Sequence, residues 1–336
     1  MGYLFVREQG AVIHKRGERL VVEKDANVLA EVRCHEIDGV CVFGGVQVTT
    51  GALGELLARG VDLALLTRDG RLKGRLVPPA GKNVFLRLQQ YDRFRDAAWC
   101  LASSRGVVAA KASMAVRIVA RYRRNHPSAA AALAGRQEAV ASLEQRARAA
   151  GDLAALRGIE GSAAAEYFRA LAVMVPACLG FDSRRRRPPT DPVNALLSLG
   201  YVLLANRLSS LLEAAGLDPA VGFYHQLDYG RPSLALDVAE EFRVPLVDRL
   251  VVRLLNLGVL GASDFVPQGD GDERGVRLGD RGLRLFLARF GEALERHVRL
   301  PDGRAVPFAR AIEAQVAGLA AAIRDGAPYQ PLTVAI

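Results

Sequence analysis

The chain has 336 residues, half of them apolar and 24% charged, which excludes a disordered polymer and gives too much chain for one small core. Lys and Arg number 45 against 36 Asp and Glu, a net charge of +9, which excludes an acidic, cation-buffering protein. In chain order, residues 1–77 read as a small β domain. Runs rich in Val, Ile and Leu at Tyr3–Val6, Ala11–Lys15, Arg19–Glu23, Val28–Val32 and Val40–Phe43 are separated by turn residues at Gly10, Arg16-Gly17, Asp25 to Asn27 and Gly44-Gly45. One short helix is expected between a cap at Thr49 or Thr50 and a stop at Gly60. Two further strands, Asp62–Thr67 and Leu72–Val77, flank Arg68-Asp69-Gly70, a hairpin signal.

Residues 78–82, opening on Pro78-Pro79, read as a linker. From 83 to 336 helical apolar spacing takes over, with helices expected over 83–124, 137–149, 163–178, 191–215, 236–257, 282–297 and 306–324. The fold class is therefore α+β: a small N-terminal β-rich domain followed by a larger all-helical C-terminal domain. Phe181–Pro189 and residues 264–281 read as exposed loops. The four cysteines, Cys34, Cys41, Cys100 and Cys178, show no CxxC spacing and sit among apolar residues. They read as buried thiols of a reducing compartment. No signal peptide is read at the N-terminus, and the apolar run near residues 170–180 is too short for a bilayer. The expectation is a cytoplasmic protein without a membrane partner.

Charge is unevenly placed. Residues 81–150 hold 13 basic and 4 acidic side chains, net +9, whereas residues 151–250 hold 10 and 12, net −2. A basic wall beside an acidic pocket suits a polyanion held over a metal. Three segments could form that pocket. In Arg157-Gly158-Ile159-Glu160-Gly161-Ser162, the glycines allow close backbone approach and Ser162 could cap a following helix, which puts Glu160 at a helix start. The plain alternative is a surface Glu favoured there by the helix dipole. In Gly222-Phe223-Tyr224-His225-Gln226, His225 is either a ligand or a packed core group. In Ser233 to Phe242, Ser233 caps a helix on which Asp237 and Glu240 share one face, a turn apart. Here the alternative is an exposed acidic first turn. Taken together, Glu160, His225, Glu240 and Asp237 make an oxygen-plus-imidazole set without sulfur, which suits Mn2+ or Mg2+ better than structural zinc. A three-ligand site leaves positions for water and a phosphate oxygen.

The segments RGIEGSAAAEYF, DPVNALLSLGYVLL, GLDPAVGFYHQLDYGRPSLALDVAEEFR and PLVDRLV resemble, in order and spacing, the CRISPR-associated spacer-acquisition integrase and endonuclease, the Cas-one protein family. The N-terminal segment GVQVTTGALGELLARGVDLALLT is similar to that family's first domain. The resemblance implies a homodimer, two such dimers around a dimer of the small Cas-two protein, and insertion of the 3′ ends of duplex prespacer DNA into CRISPR repeat DNA. It also implies metal-dependent endonuclease activity. Metal ligands are implied at Glu160, His225 and Glu240, with Asp237 as an accompanying acidic group. Many members carry Asp where this chain has Glu240. Expected DNA contacts are Arg87, Arg93, Arg95, Lys111, Arg117, Arg121, Arg123 and Arg124 in the basic stretch, with Arg184, Arg185, Arg186 and Arg187 as a second group. The rival expectations are a repair-type metal-dependent DNase without integrase activity and a non-catalytic DNA-binding scaffold.

Overall fold

The computed structural model describes residues 2–68, 70, 72–76, 83–186, 188–225, 227–269, 275–300 and 302–334. The chain divides into two compact units, Met1–Lys82 and Asn83–Ile336. The expected linker, residues 78–82, lies outside the described residues, as does Asp69 of the expected hairpin turn.

The first unit holds β1 (Gly2–Val6), β2 (Val12–Arg16), β3 (Arg19–Lys24), β4 (Asn27–Arg33), β5 (Ile37–Phe43), β6 (Gln47–Val48), α1 (Thr50–Arg59), β7 (Asp62–Leu66) and β8 (Leu72–Leu76). They form two four-stranded sheets, ordered β1-β5-β7-β8 and β4-β3-β2-β6. Strands β1, β5 and β7 run parallel, and β8 closes that sheet antiparallel to β7. The apolar positions read from the sequence, among them Val6, Ile13, Leu20, Val22, Val40 and Val42, meet in one core with Leu56 of α1. Helix α1 is capped as its sequence predicts. The Thr49 hydroxyl accepts from Ala52 N, and Gly60 ends the helix at φ 65°, where a side chain would be strained.

The second unit holds α2 (Val84–Arg95), α3 (Ala97–Asn125), α4 (Ala130–Arg148), α5 (Leu153–Met174), α6 (Pro192–Ala214), α7 (Ser233–Phe242) and α8 (Arg249–Asn256). After them come β9 (Phe265–Gln268), β10 (Gly275–Leu278), α9 (Asp280–Glu295), β11 (His297–Arg299), β12 (Ala305–Pro307) and α10 (Phe308–Asp325). The expected helix 83–124 is two helices. The Asp96 carboxylate accepts from Ala98 N and Trp99 N, so it stops α2 and caps α3. The expected exposed loop 264–281 is instead an antiparallel pair, β9 with β10, leading into α9. A second pair joins β11 to β12. Strands of three or four residues carry too few positions for an alternation to register.

Helix α6 is long and apolar enough to cross a membrane by length and composition alone. It packs instead against α7 and α10 as a core helix. Between α7 and α8 the helix widens into a π segment, Arg243–Asp248. Pro245 has no N–H to return to the carbonyl a turn earlier, so regular α geometry cannot pass through it. Gly200 of α6 lies against this widened turn, and a Cβ there would collide with Val247 Cγ1. Cys34, Cys41 and Cys100 are buried thiols as expected, whereas Cys178 is exposed.

Candidate active site

Asp237 is fully buried in α7, and its carboxylate organises the loop before that helix. Oδ2 accepts from Phe223 N at 2.7 Å and Tyr224 N at 2.9 Å. Oδ1 accepts from His225 N at 2.9 Å and lies 2.6 Å from His225 Nδ1. The carboxylate oxygen is the acceptor, so Nδ1 donates to it, and Nε2 is the ring nitrogen left on the Glu240 side, where it could bind a cation. The loop passes so close that a Cβ on Gly222 would collide with Asp237 Oδ2 and stand 2.8 Å from the Ser233 carbonyl carbon. Only glycine fits there. Arg157 holds the same loop from the other side, Nη2 donating to Tyr224 O at 2.9 Å.

Glu160 does not sit at a helix start. Helix α5 begins at Leu153, with Asp152 accepting from Ala155 N at 2.8 Å. Ser162 makes no cap. Its hydroxyl donates to Gly158 O at 2.9 Å, inside the helix. Ser233 is not the cap residue of α7 but its first helical residue, with Pro232 at the cap position. Glu240 is 3% exposed, which rules out an exposed acidic first turn. Lys111, from the middle of α3, reaches between Glu160 and Glu240. Its ammonium donates to Glu160 Oε1 and lies 2.7 Å from Glu240 Oε2. The second contact is ionic but off the hydrogen-bond line, and Glu240 Oε2 is a buried oxygen without a hydrogen bond. Arg243 Nη1 donates to Glu240 Oε1, and His225 Nε2 is 3.8 Å from that same oxygen.

The charges decide the protonation states. Burial alone pushes Glu240 up, but Arg243, then Lys111, then His225 outweigh it and hold the carboxyl well below its usual range. Burial pulls Lys111 down, and the fields of Glu240 and Glu160 more than restore it. Glu240 is therefore ionised, and Lys111 and Arg243 are charged.

Among the described residues no three His, Cys, Asp or Glu side chains meet at metal-ligand spacing. The Lys111 ammonium fills the place between the two carboxylates. The donor set is nonetheless that of a hard divalent cation, with two carboxylates and one imidazole nitrogen. The unbonded Glu240 Oε2 is the oxygen such a cation would satisfy. The residues fit Mg2+ or Mn2+ provided Lys111 withdraws.

Behind Glu240 lies a second layer that composition does not reveal. Tyr201 of α6 carries two guanidinium groups over its ring, Arg184 at 5.4 Å from the ring centre and Arg243 at 4.9 Å. The Tyr201 hydroxyl donates to buried Asp248 at 2.6 Å. Burial pushes the Asp248 carboxyl up to about 6, opposed chiefly by that hydrogen bond. A carboxyl raised in the fold holds its proton more tightly there than in the unfolded chain. Its contribution is thus complete below about pH 4 and lost as pH rises through about 6. Between pH 4 and pH 7 the wild type is expected to lose on the order of 3 kcal/mol relative to Asp248→Asn. Urea unfolding across that range checks it, and parallel pH profiles would contradict it.

The basic residues divide. Arg93 Nε donates to Ile323 O, Arg117 Nη1 to Val334 O and Arg123 Nη1 to Gln137 Oε1. Arg184 donates to Asn194 Oδ1 and Ser198 Oγ. These four, with Lys111, serve the fold or the site. Arg95, Arg121, Arg124 and Arg186 are exposed, Arg87 is half-buried, and exposed Arg185 pairs with Asp182 at 3.2 Å. Arg187 lies outside the described residues. Sequence reasoning brought Glu160, His225, Asp237 and Glu240 together but missed Arg243. Its i+3 spacing from Glu240 on a helix was the available signal.

This architecture recurs in solved structures. A casposase bound to integration product matches with a TM-score of 0.83 over 97% of this chain and 91% of its own, at 24% identity. A Cas6-RT-Cas1–Cas2 complex matches with a TM-score of 0.82 over 98% of this chain and 36% of its own, also at 24% identity. They share the fold, a strand-rich unit followed by a mostly helical one. The model of the family described as CRISPR associated protein Cas1 matches residues 4–292, and the chain belongs to that family. A CRISPR-associated endonuclease Cas1 2 of Rhodospirillum rubrum is 38% identical over 308 residues, 89% of this chain and 88% of the relative. A CRISPR-associated exonuclease Cas4/endonuclease Cas1 fusion of Geobacter sulfurreducens is 35% identical over 98% of this chain, which spans 59% of the fusion.

Proposed function

We propose that this chain is a divalent-metal-dependent DNA integrase and endonuclease that joins the 3′ ends of short duplex DNA to phosphodiesters of a CRISPR repeat. The observation that carries this reading is the approach of Glu160 and Glu240 to one cationic group, with His225 Nε2 beside Glu240. Glu160, Glu240 and His225 would hold Mg2+ or Mn2+, and the bound ion would supply Lewis acidity at phosphorus. The chain's own residues prepare the place. Asp237 fixes the His225 ring with Nε2 forward, and Arg243 keeps Glu240 ionised.

Likeness in fold to a casposase bound to integration product supports joining as well as cleavage. Likeness to a Cas1–Cas2 complex supports a Cas2 partner, with this chain as a homodimer and two dimers around one partner dimer. Four free thiols, three buried and Cys178 exposed, suit a reducing cytoplasm. The test is joining of a duplex with free 3′-hydroxyls into a repeat-bearing plasmid in Mn2+ or Mg2+, with and without the small partner. Joining that is lost on chelation and in His225→Ala is expected. His225→Ala at the wild-type rate would overturn the assignment. Cleavage without joining would favour the repair-type nuclease, and metal-indifferent DNA binding alone would favour the scaffold.

A further inference from the structure

Glu241 is a buried carboxylate that the proposed chemistry leaves unused. It follows Glu240 on α7 and is 1% exposed. Neighbouring residues of a helix stand about 100° apart around its axis, so Glu241 meets a different set of partners. Its donors come from α10 and from the segment that follows it. Gln315 Nε2 of α10 donates to Glu241 Oε2 at 3.1 Å, and Leu332 N donates to the same oxygen. The Tyr329 hydroxyl donates to Oε1. The segment itself lies along α3. Trp99 Nε1 donates to Ala327 O at 2.7 Å, and Tyr329 N donates to Ser103 Oγ at 3.1 Å. The buried Tyr329 ring has its centre 6.1 Å from that of Phe223, whose N–H donates to Asp237. Tyr329 therefore bears on both halves of the site. Its hydroxyl holds the carboxylate next to Glu240, and its ring backs the loop that carries His225.

The need for such a hold follows from α7 itself. The helix has ten residues, no side-chain cap hydrogen bond at its start among the described residues, and a π segment at its end. Neither end fixes its rotation about its own axis. A carboxylate about 6 Å from the axis moves about 1 Å for a rotation of about 10°, whereas ligand distances at a metal ion hold within about 0.2 Å. Bonds from the flanks must therefore set the rotation. Asp237 supplies one set and Glu241 another. The donors to Glu241 are neutral. Burying a carboxylate against neutral donors is costlier than burying an apolar pair of similar volume, so packing of the segment alone does not call for it.

We propose that Tyr329, acting through Glu241, is a positioning residue that sets the rotation of α7 and with it the place of Glu240 in the cation site. The proposal rests on the divalent-cation reading of Glu160, His225 and Glu240. It adds to that reading a group from outside the segments that supply the ligands.

The test titrates Mn2+ into the full chain without DNA and follows the free ion by electron paramagnetic resonance, with melting temperatures measured in chelator. Tyr329→Phe keeps the ring and removes the hydroxyl. Its Mn2+ dissociation constant is expected to rise about ten-fold, the low end for loss of a group that orients a ligand from behind. Glu241→Gln keeps the shape and one acceptor oxygen, and is expected to raise the constant in the same direction by less. Val334→Ala is the control for stability alone. It trims a buried side chain of the same segment away from Glu241, and is expected to lower the melting temperature while Mn2+ binding stays at the wild-type value. Wild-type Mn2+ affinity in both Tyr329→Phe and Glu241→Gln would overturn the proposal. Equal weakening in Val334→Ala would overturn it as well, because the segment would then act only through general stability. Wild-type protein that binds no Mn2+ would instead defeat the cation-site reading itself, and this inference with it.

Discussion

Lys111→Ala is expected to lower the stability of the protein in chelator by about 3 kcal/mol and to recover most of that loss in Mn2+. Removing one partner of a buried ion pair costs about 3–5 kcal/mol, because the remaining charge is left uncompensated. The lower end applies here, since Arg243 still neutralises Glu240 and the Lys111 side chain is 15% exposed. A divalent cation between Glu160 and Glu240 would replace the missing charge. Ligand at about a hundred times its dissociation constant returns about 2.7 kcal/mol. Urea unfolding with chelator and with Mn2+ gives both numbers. An equal loss in the two conditions would mean that Lys111 occupies no cation site.

Asp237 is expected to separate fold from function. Asp237→Ala leaves three backbone N–H groups and His225 Nδ1 without their acceptor. Each orphaned buried donor costs about 1–3 kcal/mol, so the variant is expected to lose roughly 4 kcal/mol or more, and the Gly222 to His225 loop with it. Asp237→Asn keeps one acceptor oxygen and the shape. It no longer fixes the proton on Nδ1, so joining is expected to fall about 10- to 100-fold with the fold retained. Thermal melting and joining rates measured together check both. Asp237→Asn joining at the wild-type rate would show that the carboxylate only shapes the loop.

The site was legible in residue type and order. Oxygen and imidazole donors in three segments, with Asp237 and Glu240 one turn apart, were enough to choose four residues that gather in the fold. Their setting was less legible. Gly158 and Gly161 suggested a loop and a helix start at Glu160, yet α5 is nucleated upstream by the Asp152 cap and runs straight through both glycines. Lys111 counted as one more positive charge in a basic stretch. Only tertiary packing of α3 against α5 and α7 turns it inward between two carboxylates. The same charge tally counted Arg93, Arg117 and Arg123 as DNA contacts, whereas backbone carbonyls and Gln137 take them. The π segment was hidden because a helical apolar pattern continues across Pro245, and only the close approach of Gly200 shows why the widened turn is tolerated.

The central claim is that Glu160, Glu240 and His225 form a divalent-cation site now bridged by Lys111. Anomalous diffraction from crystals of the chain grown with Mn2+ tests it most directly. The expected result is a manganese peak bounded by Glu160, Glu240 and His225 Nε2, with the Lys111 ammonium moved off Glu240. A peak elsewhere, or none while Lys111 still bridges the two carboxylates, would contradict it.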